Sequence, residues 1–175
     1  MALTSKLEAV NSMLGVIGES PVNTLGGTSV PVSVVTAENL LDEVTREIQS
    51  DGWHFNTEYD YDVVRDASTN KFVLPSNTLK IDTEAGKYTD IDVVQRGASL
   101  YDRKNHTYTP DATTITVDLV VLLGFTDLPE TARRYITLRA ARVFQERHLG
   151  SETMSTFIAQ DEARALARVH HRVVD

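Results

Sequence analysis

The apolar residues of this chain change their spacing twice. As far as about residue 56 they recur every three or four residues. From about Tyr59 to Phe125 they fall on every second residue, and from Pro129 onward the three-to-four spacing returns. The first period belongs to a helix face and the second to a half-buried strand, so the order is two helices, a block of strands, then two helices. Neither helical pair can bury its apolar stripe alone, and the economical solution packs the two pairs together as one bundle. The expected fold class is therefore α+β: a helical bundle formed by N- and C-terminal helix pairs with an inserted small antiparallel β domain. Residues 1–56 plus 127–175 are expected to form the discontinuous bundle, and 57–126 the inserted sandwich or barrel-like domain.

The boundaries follow from local chemistry. A first helix over residues 5–17 carries Leu7, Val10, Leu14 and Ile17 at helical spacing, with Ser5 and Glu8 at the spacing of a capping box and Gly18 as its stop. Residues 20–31 hold Pro, Asn and Gly-Gly and read as a loop. A second helix is expected from Thr36 to Asp51 on the stripe Ala37, Leu40, Leu41, Val44 and Ile48, with Gly52 as a left-handed cap. Alternation at Leu79 and Ile81, Ile91 and Val93, and Ile115 to Val121 predicts five or six short strands, separated by turns that include Glu84-Ala85-Gly86. Tyr101 and Tyr108 flank a polar hairpin tip. Pro129 suits the first position of a third helix reaching Leu149. Gly150 ends it, Ser151 caps the next, and a fourth helix with Met154, Phe157, Ile158, Ala165, Leu166 and Val169 runs to His170.

Composition removes several function classes. There is no cysteine, which excludes disulfides, thiolate metal sites and cysteine nucleophiles and fits synthesis in a reducing cytoplasm. No apolar run is long enough to span a membrane, and MALTSKLEAV lacks the pattern of a signal peptide. The net charge of −8 argues against a nucleic-acid coat. That charge is uneven: residues 1–128 hold 9 Lys and Arg against 19 Asp and Glu, while residues 129–175 hold 8 Arg against 6 acids. Arginine favours multi-donor contacts at protein interfaces. The histidines His54, His106, His148, His170 and His171 show no metal-ligand spacing, and the last two suit a helix C-terminus. Glu8, Glu19 and Glu58 are the carboxylates available to an alternative function, a peptidoglycan or polysaccharide hydrolase, but no spacing selects a pair. No cofactor or metal site is expected.

Four blocks resemble the phage tail tubular protein A family. They are Leu7-Glu8-Ala9-Val10-Asn11 continuing as Met13 to Asn23, then Glu47 to Glu58 around Gly52-Trp53-His54-Phe55, then Arg96-Gly97 with Leu100-Tyr101-Asp102-Arg103 and His106-Thr107-Tyr108, and finally Leu128-Pro129 with Ala132 to Ile136 and Arg139 to Gln145. The resemblance implies a structural head-to-tail adaptor of a short-tailed phage and not an enzyme. It implies a virion-tail component made in the bacterial host cytoplasm. Twelve copies would form a ring between the portal protein and a tail nozzle of the tail tubular protein B type, and DNA would pass through without sequence-specific binding.

On that footing Arg133, Arg134, Arg139 and Arg142 are expected at the ring interface. Tyr101, Arg103, Lys104, His106 and Tyr108 are expected to contact the nozzle or a neighbour. The chain ends at Asp175, soon after the fourth helix and sooner than the resemblance leads one to expect, which leaves portal contact to Arg164, Arg168, His170, His171 and Arg172.

Overall fold

The computed structural model describes residues 3–27, 29–83, 87–149 and 152–170. The turn expected at Glu84-Ala85-Gly86, the stop at Gly150, the cap at Ser151 and the side chains of Met154 and Phe157 lie outside what is described. Two compact units emerge, Met1–Ile48 with Gly124–Asp175, and Gln49–Leu123. The chain crosses from the first to the second inside one helix and returns at Gly124. Helices flanking a small antiparallel β domain give the α+β fold that the periodicity predicts.

The helical unit begins with α1, Lys6–Val16. Its capping box is formed: the Glu8 amide donates to Ser5 Oγ at 3.2 Å, and the Ser5 amide donates to the Glu8 carboxylate at 2.7 Å. Those bonds hold the Glu8 carboxyl below its ordinary range. Ala9, Val10, Met13 and Leu14 form the buried stripe, rotated slightly from expectation, so that Leu7 and Ile17 are only half-buried. The Asn11 amide fixes the following loop by exchanging two hydrogen bonds with the Val22 backbone, at 3.0 and 2.8 Å.

Helix α2, Val32–Ser50, starts one turn earlier than the stripe predicts. Pro31 ends the loop, and its carbonyl accepts the amides of Val34 and Val35. This first turn places Val32 and Val35 in solvent while Val34, three residues before Ala37, is buried and begins the stripe. Lys6 of α1 bridges to Glu38 and Asp42 of α2 at 2.9 and 3.0 Å. Phe125–Asp127 forms a single 3-10 turn before α3, Glu130–Leu149, and α4, Glu152–His170. Pro129 precedes the first turn of α3 instead of occupying it, and its carbonyl accepts the Arg133 amide at 3.0 Å. Ala132, Tyr135, Ile136, Ala140, Ala141 and Phe144 of α3 and Ala165 and Val169 of α4 are buried.

The β unit holds β1 (Thr57–Val64), β2 (Thr78–Asp82), β3 (Val93–Arg96), β4 (Ser99–Asp102) and β5 (Thr114–Val121). All pairings are antiparallel: β5 lies between β1 and β2, and β3 pairs with β4. Single bridges join Arg65 to Phe72 and Val73 to Ser99, linking the two sheets at one corner. Inward positions Val63, Ile115, Val117, Leu119 and Leu100, with Phe72, Leu74, Val93 and Val121, make one core. Phe72 is fully buried although it lies in no long strand. The β1–β5 register slips between Glu58 and Tyr61. There Asp60 takes a positive φ, its amide donating to the Asp118 carboxylate at 3.0 Å.

The root of this unit is an amide clasp. Gln49, in the last turn of α2, donates from Nε2 to the Leu123 carbonyl at 2.9 Å and accepts the Leu123 amide at 2.8 Å. Asn56 donates to the carbonyls of Gln49 and Val121, both at 2.9 Å, and accepts the Trp53 amide at 2.8 Å. Both side chains are buried, and the bonds of Asn56 are made where water cannot substitute. Gly52 lies between them at φ +81, and a Cβ there would approach Val120 Cγ2 to 3.0 Å. Glycine is needed both for conformation and for space.

Replacing Asn56 by Ala removes its two hydrogen bonds to the carbonyls of Gln49 and Val121 and the one it accepts from the Trp53 amide. Asn56→Ala should cost about 2–4 kcal/mol, measured by urea unfolding at neutral pH. A loss below about 0.5 kcal/mol would remove the clasp from the list of stabilising features.

Candidate functional site

The arginines of α3 and α4 lie in the helical unit and have unequal surroundings. Arg133 falls on the buried stripe, three residues before Ile136 and seven before Ala140. Its guanidinium donates to the carbonyls of Leu128 at 2.8 Å and Thr4 at 2.9 Å, and to that of Thr126. Glu130 completes the arrangement by accepting the Thr4 amide at 2.8 Å. Three segments, the residues before α1, the 3-10 turn and the start of α3, are thus gathered on one buried cation. Arg139 pairs with Glu47 of α2 and Glu162 of α4, while Arg142 pairs with Glu162 and Glu146. Hydrogen bonds to Glu47 for Arg139, and to Glu162 for Arg142, raise both guanidinium pKa values above their ordinary range. Arg133, Arg139 and Arg142 of the expected ring-interface group thus have partners inside the subunit. Only Arg134 of that group is exposed.

Arg134 lines a cleft of about 240 Å³ with Arg164, Arg168, Asp161 and Ala165. Arg164 approaches Asp161 at 3.4 Å. The cleft is thus lined by three guanidinium groups and one carboxylate, a local excess of positive charge. The same Arg134 edges a neighbouring, mostly apolar groove lined also by Val16, Leu138, Ala141 and Ile158. His170 is exposed at the end of α4. His171 and Arg172 lie outside the described residues.

In the β unit the expected contact residues divide in two. Arg103 chelates Asp92 through Nε and Nη2 at 3.1 and 3.0 Å, and Lys104 Nζ donates to the Thr89 carbonyl at 2.6 Å. His106 occupies a left-handed turn position at φ 54 and is exposed. Tyr101 and Tyr108 meet edge to face, with centroids 4.8 Å apart. Arg96 lies 3.6 Å over the Tyr101 ring and Lys71 5.5 Å from that of Tyr108.

The turn that presents these groups is organised by Asp102, which is fully buried. Its carboxylate accepts from the amides of Asp92, Lys104 and Asn105 and from Asn105 Nδ2, at 3.0, 2.9, 3.3 and 2.7 Å. Burial alone would raise its pKa, but these bonds together hold it below the ordinary carboxylate range. Lys71, Arg96 and Asp102 were not among the expected site residues. The alternation Ser99, Leu100, Tyr101, Asp102 does carry the signal for the last, since it places an acid at an inward position.

The carboxylates available to a hydrolase have separate surroundings. Glu8 is bound in its capping box and its pKa moves down, the wrong direction for a general acid. Glu19 accepts the Ser33 hydroxyl, and Glu58 is an exposed strand residue of the other unit. Among the described residues no group of three acids or histidines is arranged to hold a metal ion.

A family model described as tail tubular protein matches residues 7–174. No curated protein matches the chain.

Two measurements test this allocation of charges. Arg133→Lys supplies one point charge where three carbonyls need a planar fork, and should cost about 2–4 kcal/mol, whereas Arg134→Ala should stay within about 0.5 kcal/mol. Equal losses would contradict the separation of buried and exposed arginine. For Asp102, the folded carboxyl titrates below the unfolded value of about 3.9. Its contribution is fully present above that value and is lost as pH falls through the folded pKa. The stability gap between wild type and Asp102→Asn should be widest near neutral pH and should narrow below about pH 4; a gap independent of pH would refute the ionised assignment.

Proposed function

The chain belongs to the tail tubular protein family, and on that premise we propose that it is the head-to-tail adaptor of a short-tailed phage. Membership makes it a structural component of the virion tail. Among the described residues no helix is long and apolar enough to cross a membrane. In the proposed role twelve copies close into a ring between the portal and the nozzle, DNA passes through the centre, and the chain catalyses nothing. The observation that carries this reading is the extent of the match, which spans both the helical and the β units.

Physical features support the reading. A ring repeats one heterologous contact until the rotation closes, which calls for two different exposed surfaces on one subunit. The acidic chain as a whole, at −8, suits a conduit that must not hold phosphates. The cleft of Arg134, Arg164 and Arg168, with His170 beyond it, is the proposed portal contact, because its charge is not neutralised within the subunit. Residues 57–126 are proposed as an insert that faces the nozzle or a neighbour through Tyr101 and Tyr108.

Electron microscopy of the chain mixed with its cognate portal protein is the decisive experiment. A twelvefold ring stacked on the portal is expected, and portal particles without any added ring would overturn the adaptor role. Arg164→Glu with Arg168→Glu should reduce portal capture in a pull-down by roughly tenfold or more; undiminished capture would move the portal contact elsewhere.

A further inference from the structure

The β unit has an outer face that the subunit leaves unused. Beside the Arg65–Phe72 bridge, Phe72 turns inward, while Val64 and Val73 turn outward and are 66% and 52% exposed. Val73 pairs with Ser99, and Tyr101, two residues further along β4, shares its outward direction. Across the β3–β4 ladder Arg96 stands opposite Ser99 and Val94 opposite Tyr101. One continuous surface results: two exposed valines, then Tyr101 and Tyr108, with Arg96 and Lys71 lying on the rings.

This surface selects its ligand. The Arg96 guanidinium carbon lies 3.6 Å over the Tyr101 ring, and among the described residues no carboxylate or carbonyl meets its N–H edges. Such an edge takes a carboxylate in its own plane. The valines beside it favour a large apolar or aromatic side chain next to that carboxylate. A nucleic acid fits less well, because the ring faces that would stack on bases are already covered by cations.

The complementary feature is on β1 of the same unit. At the slip in the β1–β5 register, Tyr59 projects into solvent and is 71% exposed, the most exposed aromatic among the described residues. Glu58 beside it is exposed and has no bonded partner among the described residues. Asp60 and Asp62, by contrast, are engaged by Lys87 and Thr116.

We propose that the face of Val64, Val73, Tyr101 and Arg96 docks the Glu58–Tyr59 edge of a second copy of this chain, Glu58 meeting Arg96 and Lys71 while Tyr59 covers the valines. The contact joins unlike surfaces, so it propagates from copy to copy, as a ring requires. It rests on the adaptor reading and names the surfaces that reading needs.

Photo-crosslinking between copies tests it. Isotope-labelled full-length chain carrying p-benzoylphenylalanine in place of Tyr59 is mixed with unlabelled chain at high concentration and irradiated, and the products are mapped by mass spectrometry. Labelled-to-unlabelled crosslinks are expected at Val64, Val73, Tyr101 or Tyr108. They should fall roughly tenfold when the unlabelled copy carries Lys71→Glu with Arg96→Glu and recover in part when the labelled copy carries Glu58→Lys. If charge reversal lowers the melting temperature, Lys71→Gln with Arg96→Gln takes its place. Crosslinks that fall elsewhere, that form only within one copy, or that a single-stranded oligonucleotide abolishes would overturn the proposal. Rings on the portal with crosslinks elsewhere would remove this interface alone; the expected crosslinks without rings would remove the adaptor role alone.

Discussion

The paired hydrogen bonds between Gln49 and the Leu123 backbone hold together two points 74 residues apart in sequence. Everything between them is the β unit, and everything outside them is the helical unit. Closing so long an excursion costs chain entropy, and a single amide pair would offset little of it. The clasp is effective because Asn56 reinforces it from the other side, meeting the carbonyls of Gln49 and Val121 at once. The side chains of Gln49 and Asn56 are both buried, so losing these bonds would leave their amides poorly served by water. This gives the two ends of the β unit a specified pairing and not merely a meeting of loose ends.

Much of the architecture was legible because it is written in periodicity. The spacing of apolar residues located four helices, and the alternation at Ile115 to Val121 located the central strand of the sheet. The first turn of α2 was masked because exposed Val32 and Val35 flank buried Val34, and three neighbouring valines show no helical period. Phe72 was hidden because it enters the core from a single bridged pair, too short to alternate. The clasp was illegible for a deeper reason. Gln49 and Asn56 bond to backbone groups, and backbone carries no sequence signal at the distant partner.

Adjacent arginines show where site reasoning from composition stops. Arg133 and Arg134 look alike in a charge count, yet one is enclosed by three carbonyls and the other stands in solvent. A position's angle around the helix separates them, and that angle could have been used: Arg133 shares the stripe of Ile136 and Ala140. The same division runs through the turn after β4, where Arg103 and Lys104 bond to Asp92 and Thr89 while Tyr101 and Tyr108 carry cations from β3 and from the residue before Phe72. The contribution of Arg96 and Lys71 depends on the sheet register, which alternation predicts only loosely.

The discontinuity of the helical unit also orders events on the ribosome. When residue 123 has been made, every segment of the β unit is in existence, including β5 at its centre. Helices α1 and α2 were synthesised earlier, but α3, with the Arg133 that gathers the residues before α1, and Arg139 that reaches Glu47, has not yet been translated. The nascent chain therefore carries a complete inner module while its outer module is still half-built, with the apolar stripes of α1 and α2 waiting for α3 and α4. Synthesis from inside outward is thus a property of the connectivity itself.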